Sequence, residues 1–470
     1  MMLSFEVMAP LMFAGLIIFL LIGYPVAFSL SFVGLGFGFL AIALGHFDFV
    51  LLQALPERIF GIAANQLLLS IPFFTFMGAV LERAGLAEEL LDTMGQLFGP
   101  VRGGLAYAVI LVGALLGAIT GTVAASVIAM GLISLPVMQR YGYDPRVSTG
   151  VIAASGTITQ IIPPSLVLVV LADAMGKSVG DMYAGAFIPS FILIGLFCGW
   201  IFIVSIIWPE KVPALPKEVR TASVSVLFWR CMVSMVPSLV LIFMVLGTIL
   251  IGLATPTEGG AMGAVGALLL AILNRRLNLK VLKESMDITL KLTVMVMFIL
   301  VGSTVFSLTF RGVDGDLWVE HLLSNLPGGV IGFLIFVNIF VFFLAFFLDY
   351  FEIAFIIIPL LAPVAQKMGI DLIWFGVLVC ANIQTSFMHP PFGFALFYLR
   401  GIAPPSIKTS DIYWGAIPWV ILQVILVAIV ILWPGSVTYW IDKSSNIDPS
   451  KVQIDIPQID LPPIQFDQPK

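Results

Sequence analysis

The sequence predicts an all-α polytopic membrane protein with an inverted repeat, about ten spanning helices and two re-entrant helical hairpins. Three observations predict this architecture: the composition is strongly apolar, apolar runs of spanning length recur along the chain, and one segment of the first half recurs in the second. Of the 470 residues, 60% are hydrophobic and only 10% are charged, and the mean hydropathy is +1.11. A soluble domain carries about 25% charged residues, so the composition excludes a soluble enzyme.

Apolar runs of about 18 residues or more, separated by charged residues, Gly and Pro, mark the predicted spans. They lie near 5–22, 25–45, 67–82, 148–172, 183–208, 226–252, 256–273, 285–310, 372–399 and 412–434. The first run carries Glu6 and has no basic residue ahead of Arg58. This is the wrong charge for a signal peptide, so we interpret the run as a span.

The predicted hairpins occupy two apolar regions that do not fit a single crossing each. No residue from 103 to 139 is charged, yet a straight helix of this length would be about 55 Å long against a hydrocarbon core of ~30 Å. The small and hydroxyl residues from Gly117 to Ser126 therefore predict a turn. The second region, about 329–363, is interrupted at Asp349–Glu352, which predicts a second hairpin tip.

An internal repeat links the two halves of the chain. The segment Pro136–Asp144 recurs 227 residues later as Pro363–Asp371, with Gln, a basic residue, Gly and Asp in register. At the same offset Pro163-Pro164 matches Pro390-Pro391, and after a short insertion Asp181–Ala186 matches Asp411–Ala416. Membrane transport proteins are often built from such repeats, with the binding site at the repeat interface.

The charge distribution predicts how the repeats are oriented. Five predicted spans separate the two matching Gly-x-Asp loops if hairpins do not cross, and an odd number places the repeats in opposite orientations. The basic loop residues then lie on one side, which the positive-inside rule makes cytoplasmic. They are Arg140, Arg146, Lys211, Lys217, Arg220, Arg275, Arg276, Lys280, Lys283, Arg400 and Lys408. The N-terminus and the C-terminal tail are therefore predicted to lie outside.

Each hairpin is followed by a predicted span with a polar centre that ends in a Pro pair. Proline lacks an N–H and clashes with the carbonyl four residues earlier, so a Pro pair frees carbonyl oxygens at membrane depth. Freed carbonyls beside Ser, Thr and Asn oxygens suit a desolvated Na⁺, and the N-termini of half-helices suit an anion. The pattern predicts two cation sites that flank one anionic substrate site. The alternative is that each Pro pair only kinks its helix.

Asp349 and Glu352 lie in an otherwise apolar hairpin, where a charge costs about 2.5–3.5 kcal/mol on insertion scales. Two interpretations are open. The carboxylates line a tip that faces water, cation or substrate, or they cap the hairpin turn or pair with a neighbour such as Arg311.

Other chemistries have no support in the sequence. The three cysteines, Cys198, Cys231 and Cys380, lie in apolar runs without metal-ligand or disulfide spacing. No nucleophile with a base and no transition-metal cluster is evident, so we expect no enzyme activity and Na⁺ as the only metal. No basic tract occurs, so nucleic acid is not an expected partner.

The motifs resemble the large membrane subunit (M subunit, DctM type) of the tripartite ATP-independent periplasmic (TRAP) transporter family. The resemblance covers about residues 1–440. It is carried by Ser70–Phe74, Gly117–Gly131, Gly150–Ser165, Thr255–Glu258 and Phe347–Pro391. One departure is that Asp349 and Glu352 occupy a tip whose counterpart in the first hairpin is neutral, so the two cation sites need not be equivalent.

The resemblance implies an elevator-type secondary transporter of the bacterial inner membrane that imports an organic acid with Na⁺. It also implies two protein partners. They are a small four-helix membrane subunit (Q type) and a periplasmic substrate-binding protein (P type) that delivers the carboxylate. Five regions follow. They are N-terminal scaffold and arm helices at 1–103, a first repeat of the transport domain at 104–208, scaffold helices at 209–328, a second repeat at 329–434, and a tail at 435–470.

The resemblance also assigns candidate site residues. The first cation site would use Thr120, Gly121, Thr122, Ser126, Ser155, Gly156 and Thr157. The second would use Asp349, Glu352, Asn382, Gln384, Thr385 and Ser386. The substrate would be lined by Thr159, Gln160, Pro163, Pro164, His389, Pro390 and Pro391.

Alternatives remain for function and for the tail. A stand-alone divalent-anion/Na⁺ symporter would have a similar architecture, and the permease of an ATP-driven importer or a non-transporting scaffold are further alternatives. The proline-rich tail is expected to be a disordered or extended periplasmic segment, since frequent prolines prevent a regular helix or central strand.

Overall fold

The computed structural model describes residues 5–216 and 223–441, and it contains helices and no strand within these ranges. Predictions for Lys217, Arg220 and the tail from residue 442 lie outside the described residues, as does the side chain of Thr120. The helices of the first half are α1 (Phe5–Ile22), α2 (Val26–Ala43), α3 (Leu55–Ala63), α4 (Ser70–Arg83), α5 (Leu86–Phe98), α6 (Gly104–Thr120), α7 (Val123–Arg140), α8 (Pro145–Thr157), α9 (Leu166–Ala174) and α10 (Val179–Ile207).

The second half follows the same order. Its helices are α11 (Val224–Leu250), α12 (Pro256–Leu273), α13 (Leu279–Gly312), α14 (Gly315–Ser324), α15 (Gly329–Leu344), α16 (Tyr350–Glu352), α17 (Ile358–Lys367), α18 (Leu372–Phe387), α19 (Phe394–Ile402), α20 (Thr409–Leu432) and α21 (Gly435–Thr438). A π-helical turn, Ile353–Ile357, joins α16 to α17 without interruption.

Eight helices of the described chain are long and apolar enough to cross a membrane, and a ninth span results if the bent pair α14–α15 counts as one. The sequence predicted about ten. Four predicted spans do not count among the eight: 148–172 and 372–399 are each divided into two shorter helices, and the helices at 5–22 and 67–82 are too short. Two of the eight long helices are hairpin arms instead. The multi-pass helical architecture is confirmed.

Both hairpins are present at their predicted positions. In the first, Gly121 and Thr122 connect α6 to α7. Gly121 has φ +63°, which favours glycine, and its N–H donates to the Gly117 carbonyl to close α6. In the second, residues 345–349 connect α15 to α16. The second hairpin returns to its starting side, because Lys367 at the end of α17 pairs with Glu320 of α14, which directly precedes α15.

The repeat is visible in the backbone at the turns after the hairpins. Gly142 has φ +77° and its counterpart Gly369 has φ +76°. Two residues later, Asp144 accepts N–H bonds from the first turn of α8, and Asp371 does the same for α18. Aspartate at this position satisfies helix N–H groups that otherwise lack partners.

The helix contacts extend the repeat to the segments before the hairpins, where α2 corresponds to α12 and α4 corresponds to α13. Helix α4 packs on α12 as α13 packs on α2. A Cβ at Gly34 of α2 would lie 2.9 Å from the Phe306 backbone of α13, and a Cβ at Gly263 of α12 would lie 2.5 Å from Met77 of α4. Small residues therefore bring both helix pairs into close contact.

The predicted tail does not begin at 435 as a structureless segment. Residues 435–438 form the short helix α21, in which Ser436 and Val437 are fully buried. This helix packs against α10 and α18. The first residues of the region assigned to the tail are therefore helical.

Candidate functional site

Two helices are broken where the Pro pairs lie. Helix α8 ends at Thr157, continues as a 3₁₀ turn to Gln160, and α9 begins only at Leu166. In the second repeat α18 ends at Phe387 and α19 begins at Phe394. The two Pro–Pro peptide bonds are both cis. The predicted pair of broken helices is therefore present, with one break in each repeat.

Side chains of the protein use the carbonyl groups at the first break. The Gln160 carbonyl accepts from the hydroxyl of Ser165 and from the Cys380 thiol, with Sγ at 3.1 Å. The Ile161 carbonyl accepts from Ser190 Oγ at 3.0 Å. These two oxygens are thus occupied by hydrogen bonds, which narrows the set of backbone groups that remain for a ligand.

The predicted first-site residues of α8 face three different helices. A Cβ at Gly113 of α6 would lie 2.6 Å from the Ser155 side chain, so Ser155 faces α6. A Cβ at Gly156 would lie 2.2 Å from the Val127 side chain, so Gly156 faces α7. Thr157 instead faces α20. Consecutive helical residues are about 100° apart, so these three cannot share one face.

Thr157 has a partner that the sequence did not identify. Its hydroxyl donates to the Ala154 carbonyl at 2.8 Å and accepts from Gln423 Nε2 of α20 at 3.0 Å. Both side chains are fully buried. The amide oxygen of Gln423 has no hydrogen-bond partner. The sequence signal that could have identified this partner is the single Gln in the otherwise apolar second half of α20.

The first hairpin tip lies beside the first break. A Cβ at Gly121 would contact Leu166, the first residue of α9, at 3.4 Å. Thr122 is partly exposed and its carbonyl accepts from the Ser126 N–H at 3.3 Å. Ser155 Oγ is buried without a hydrogen-bond partner. The structure thus brings together the tip, Gly156 and α9, while Thr157 points away.

The second broken helix is bonded to its own hairpin. Asn382 Nδ2 donates to the Asn338 carbonyl of α15 at 2.7 Å, and Ser386 Oγ donates to the Phe342 carbonyl at 3.1 Å. Thr385 Oγ1 donates to the Asn382 carbonyl at 2.6 Å. Three of the predicted second-site side chains therefore have defined partners.

Asp349 and Glu352 cap the start of α16. The Asp349 carboxylate accepts from the N–H groups of Phe351 and Glu352, at 2.8 and 3.2 Å. Glu352 Oε2 accepts from the Asp349 N–H at 2.9 Å. This reciprocal arrangement is a capping box. The capping interpretation therefore accounts for both carboxylates, and neither forms an ion pair with Arg311 among the described residues.

The second tip meets the second break through aromatic contacts. The His389 ring lies 5.2 Å from the Phe342 ring and 4.8 Å from the Phe346 ring, between centroids. Phe392 contacts Phe346 and Phe347. The Nδ1 atom of His389 is buried without a partner. This aromatic cluster was not predicted, because its members come from two separate apolar segments.

Two buried glutamines lie near the boundary between the repeats. Gln384 lies one helical turn after Cys380, whose thiol contacts the Gln160 carbonyl, so both α18 residues face the first break. Gln160 is 1% exposed and Gln384 is fully buried, and neither side-chain amide has a hydrogen-bond partner. Gln384 is two residues from both Asn382 and Ser386, about 200° around the helix, so it faces away from the side of α18 that bonds α15.

The remaining predicted substrate-lining residues differ in access. Thr159 is buried and its hydroxyl donates to the Gly156 carbonyl at 3.0 Å. Pro163 and Pro164 are buried, whereas Pro390 is half-buried and Pro391 is exposed. The second break is thus open to the surface and the first is closed.

Two inverted repeats, each with a re-entrant hairpin beside a broken helix, define a membrane transporter of the inverted-repeat class. The family comparison is more specific. The family model "Tripartite ATP-independent periplasmic transporter, DctM component" matches residues 13–436. The chain belongs to this family, and its homologues are transporter permeases rather than enzymes. The ATP-driven importer is therefore excluded as an alternative.

Two relatives and one solved structure show the extent of the similarity. The C4-dicarboxylate TRAP transporter large permease protein DctM of Pseudomonas aeruginosa is 32% identical over 396 residues, covering 82% of this chain and 88% of the relative. The protein of the same description from Vibrio cholerae is 29% identical, covering 91% and 96%. The crystal structure of the Alcanivorax borkumensis YdaH transporter, described as having an unusual topology, has a TM-score of 0.57 at 14% identity and covers 82% of this chain and 88% of that one. At this identity the likeness concerns the fold alone.

Proposed function

We propose that this chain is the large permease subunit of a TRAP transporter that imports a carboxylate-bearing organic acid together with Na⁺. The observation that carries the proposal is the pair of broken helices beside hairpin tips, in a chain that belongs to the DctM family. The names of both relatives specify C4-dicarboxylates, which supports an organic acid as the substrate class.

Coupling to Na⁺ is supported by the chemistry around the first break. Ser155 Oγ is buried and unpartnered, and Gly156 lies close to the hairpin arm α7. Neutral hydroxyl and carbonyl oxygens of this kind replace the water shell of an alkali ion without a proton transfer. In the second repeat, Thr385 Oγ1 and the Asn382 side-chain oxygen are 3.4 Å apart and supply two neighbouring oxygens.

An elevator movement is supported by the grouping of the helices. The hairpins, the broken helices and the long helix α20 pack across the repeats: α8 contacts α20, α7 contacts α19, and α9 contacts the second hairpin. The helices α2, α4, α12 and α13 pack on one another. We infer that the first group moves as one transport domain against the second group, which acts as a scaffold.

The family description places this component in a tripartite system, which supports two partners. They are a small four-helix membrane subunit and a periplasmic protein that delivers the substrate. The basic loops support a bacterial inner-membrane orientation with a periplasmic N-terminus and tail.

Reconstitution in liposomes tests the proposal. The chain is combined with its two partner proteins, and uptake of a labelled C4-dicarboxylate is measured under an inward Na⁺, K⁺ or proton gradient. We expect uptake only with the Na⁺ gradient and all components. Uptake that follows protons and ignores Na⁺ would reject the coupling, and uptake without the binding protein would favour a stand-alone symporter.

A further inference from the structure

A cleft of about 270 Å³ lies where α10 ends and α20 begins, outside the site described above. Four tryptophans line it: Trp200, Trp208, Trp414 and Trp419. Trp208 and Trp414 are 39% and 61% exposed. Both helices are candidate spans, so the cleft lies at the end of two membrane-crossing segments, where Trp is enriched at the membrane–water boundary.

The corresponding place in the other repeat is filled by the chain itself. Gly415 and Arg146 line the cleft, and the repeat relates them to Gly185 and Ile373. A Cβ at Gly185 would lie 2.8 Å from Val437 and 3.4 Å from Ile373. Val437 belongs to α21 and is fully buried. The segment after α20 therefore folds back and occupies the equivalent position.

The segment after α10 also begins with a short turn, the 3₁₀ helix Pro209–Lys211, and the Asp144 N–H donates to the Lys211 carbonyl at 3.0 Å. The Val212 carbonyl accepts from the Gly103 N–H at 2.9 Å, and the Leu215 N–H donates to the Gly99 carbonyl at 2.9 Å. These bonds hold the chain against the start of the first hairpin. The 3₁₀ turn Pro209–Lys211, which corresponds to α21, lines the cleft through Lys211 without filling it.

The lining of the cleft specifies the chemistry of its occupant. Lys211 Nζ lies 4.9 Å from the centroid of the Trp208 ring and forms no ion pair among the described residues. Arg146 pairs with Asp411 at 3.2 Å, yet 59% of its side chain remains exposed. Asp144 is engaged by two N–H groups of α8. A negative group bound near Lys211 and Arg146, with apolar chains against the indole rings, fits this lining.

We propose that the cleft binds an anionic phospholipid, with its phosphate at Lys211 and Arg146 and its acyl chains along α10 and α20. The mirror-related position holds the apolar Val437 beside Ile373, whereas the cleft has Arg146 in place of Ile373. This exchange of an apolar residue for a cation favours a charged amphiphile over an apolar peptide segment. Basic pockets between spanning helices on the cytoplasmic side are known to suit anionic headgroups.

Native mass spectrometry of the full-length chain in detergent tests this proposal, with phosphatidylglycerol and phosphatidylcholine as probes. We expect one phosphatidylglycerol to bind more tightly than phosphatidylcholine. In Lys211→Gln the affinity for phosphatidylglycerol should fall about fivefold, the effect of one basic side chain at a membrane surface, while phosphatidylcholine binding stays unchanged. Lys211→Arg should restore the affinity.

Two further variants make the test specific. Lys283→Gln, on the same predicted membrane side but in α13, is the matched control and should bind both lipids as the wild type does. Val147→Trp fills the cleft without changing its charge and should abolish the tight phosphatidylglycerol site. Equal phosphatidylglycerol affinity in wild type and Lys211→Gln would overturn the proposal. So would a photo-crosslinker at Trp414 that captures the small membrane subunit even at saturating phosphatidylglycerol.

Discussion

Ser155 and Thr157 are two residues apart in α8, and the structure gives them different environments. The Ser155 hydroxyl is buried beside α6 without a partner, whereas the Thr157 hydroxyl is bonded on one side to Ala154 and on the other to Gln423. A free oxygen near the hairpin suits ion binding. A hydroxyl with two partners on the opposite face suits the attachment of α8 to α20.

A double-mutant cycle tests the attachment. Thr157→Val leaves the buried Gln423 amide without its acceptor and should lower the free energy of unfolding by about 1–3 kcal/mol. Gln423→Leu in the Thr157→Val background should recover part of this loss, because both polar partners are then absent. Thermal unfolding of the detergent-purified proteins measures the effect. Additive losses in the double variant would show that the two side chains do not interact.

The cation-site assignment predicts a second result at this scale. Ser155→Ala and Thr385→Ala should both raise the Na⁺ concentration for half-maximal uptake. Ser155→Ala should leave stability nearly unchanged, because its hydroxyl has no partner, whereas Thr385→Ala loses a bond worth about 1 kcal/mol. Uptake at varied Na⁺ in reconstituted liposomes is the measurement. Unchanged Na⁺ dependence in both variants would remove these residues from the sites.

At the scale of elements, glycines set the distance between the hairpin arm α6 and the broken helix α8. A Cβ at Gly113 would lie 2.6 Å from the Ser155 side chain and 3.1 Å from its carbonyl oxygen. Gly113→Ala should therefore destabilise the protein by about 1–3 kcal/mol through overpacking. Gly195→Ala in α10 is the control, because no atom lies within 4 Å of its Cβ position. We expect it to be neutral or slightly stabilising in thermal unfolding.

The capping box at the second hairpin tip predicts a separate outcome. Asp349→Ala removes the side-chain acceptor for two N–H groups of α16 and should cost about 1 kcal/mol of stability. Asp349→Ser keeps a capping oxygen and should retain most of the stability. If Asp349 also binds the ion, Asp349→Ser will raise the Na⁺ requirement while remaining stable. Comparing unfolding temperature with Na⁺-dependent uptake separates capping from ion binding.

Sequence patterns predicted the breaks and tips because Pro pairs, glycines and charges in apolar runs have local causes. They did not predict which way the α8 side chains face, because apolar residues surround the polar ones on every side. The role of Gln423 depends on packing between α8 and α20, which are 266 residues apart at this contact. The repeat was visible only around 136–186 and 363–416, since elsewhere it is carried by helix order and small residues rather than by matching motifs.

For the whole molecule, the division into scaffold and moving helices predicts the effect of cross-links. Ser303 of α13 donates to the Phe355 carbonyl of the second hairpin at 2.6 Å. A short thiol cross-linker with a reducible bond, attached to Cys substitutions at these positions, would join the two groups and should abolish uptake, with recovery on reduction. Thr257 of α12 donates to the Gln66 carbonyl, four residues before α4 and within the proposed scaffold. A cross-link there should leave uptake intact, and full activity of the cross-linked 303–355 pair would contradict the movement.

The packing of α8 on α20 and of α18 on α10 bears on the ancestry of such proteins. Helix α8 packs on α20, and α18 packs on both α10 and α20, so each broken helix contacts the long helix of the other repeat and a half-length chain would lose that contact. A single-repeat ancestor would have needed a second copy inserted upside down in the same membrane. Gene duplication and fusion would convert the contact of such an antiparallel homodimer into a contact within one chain and leave the two halves free to diverge.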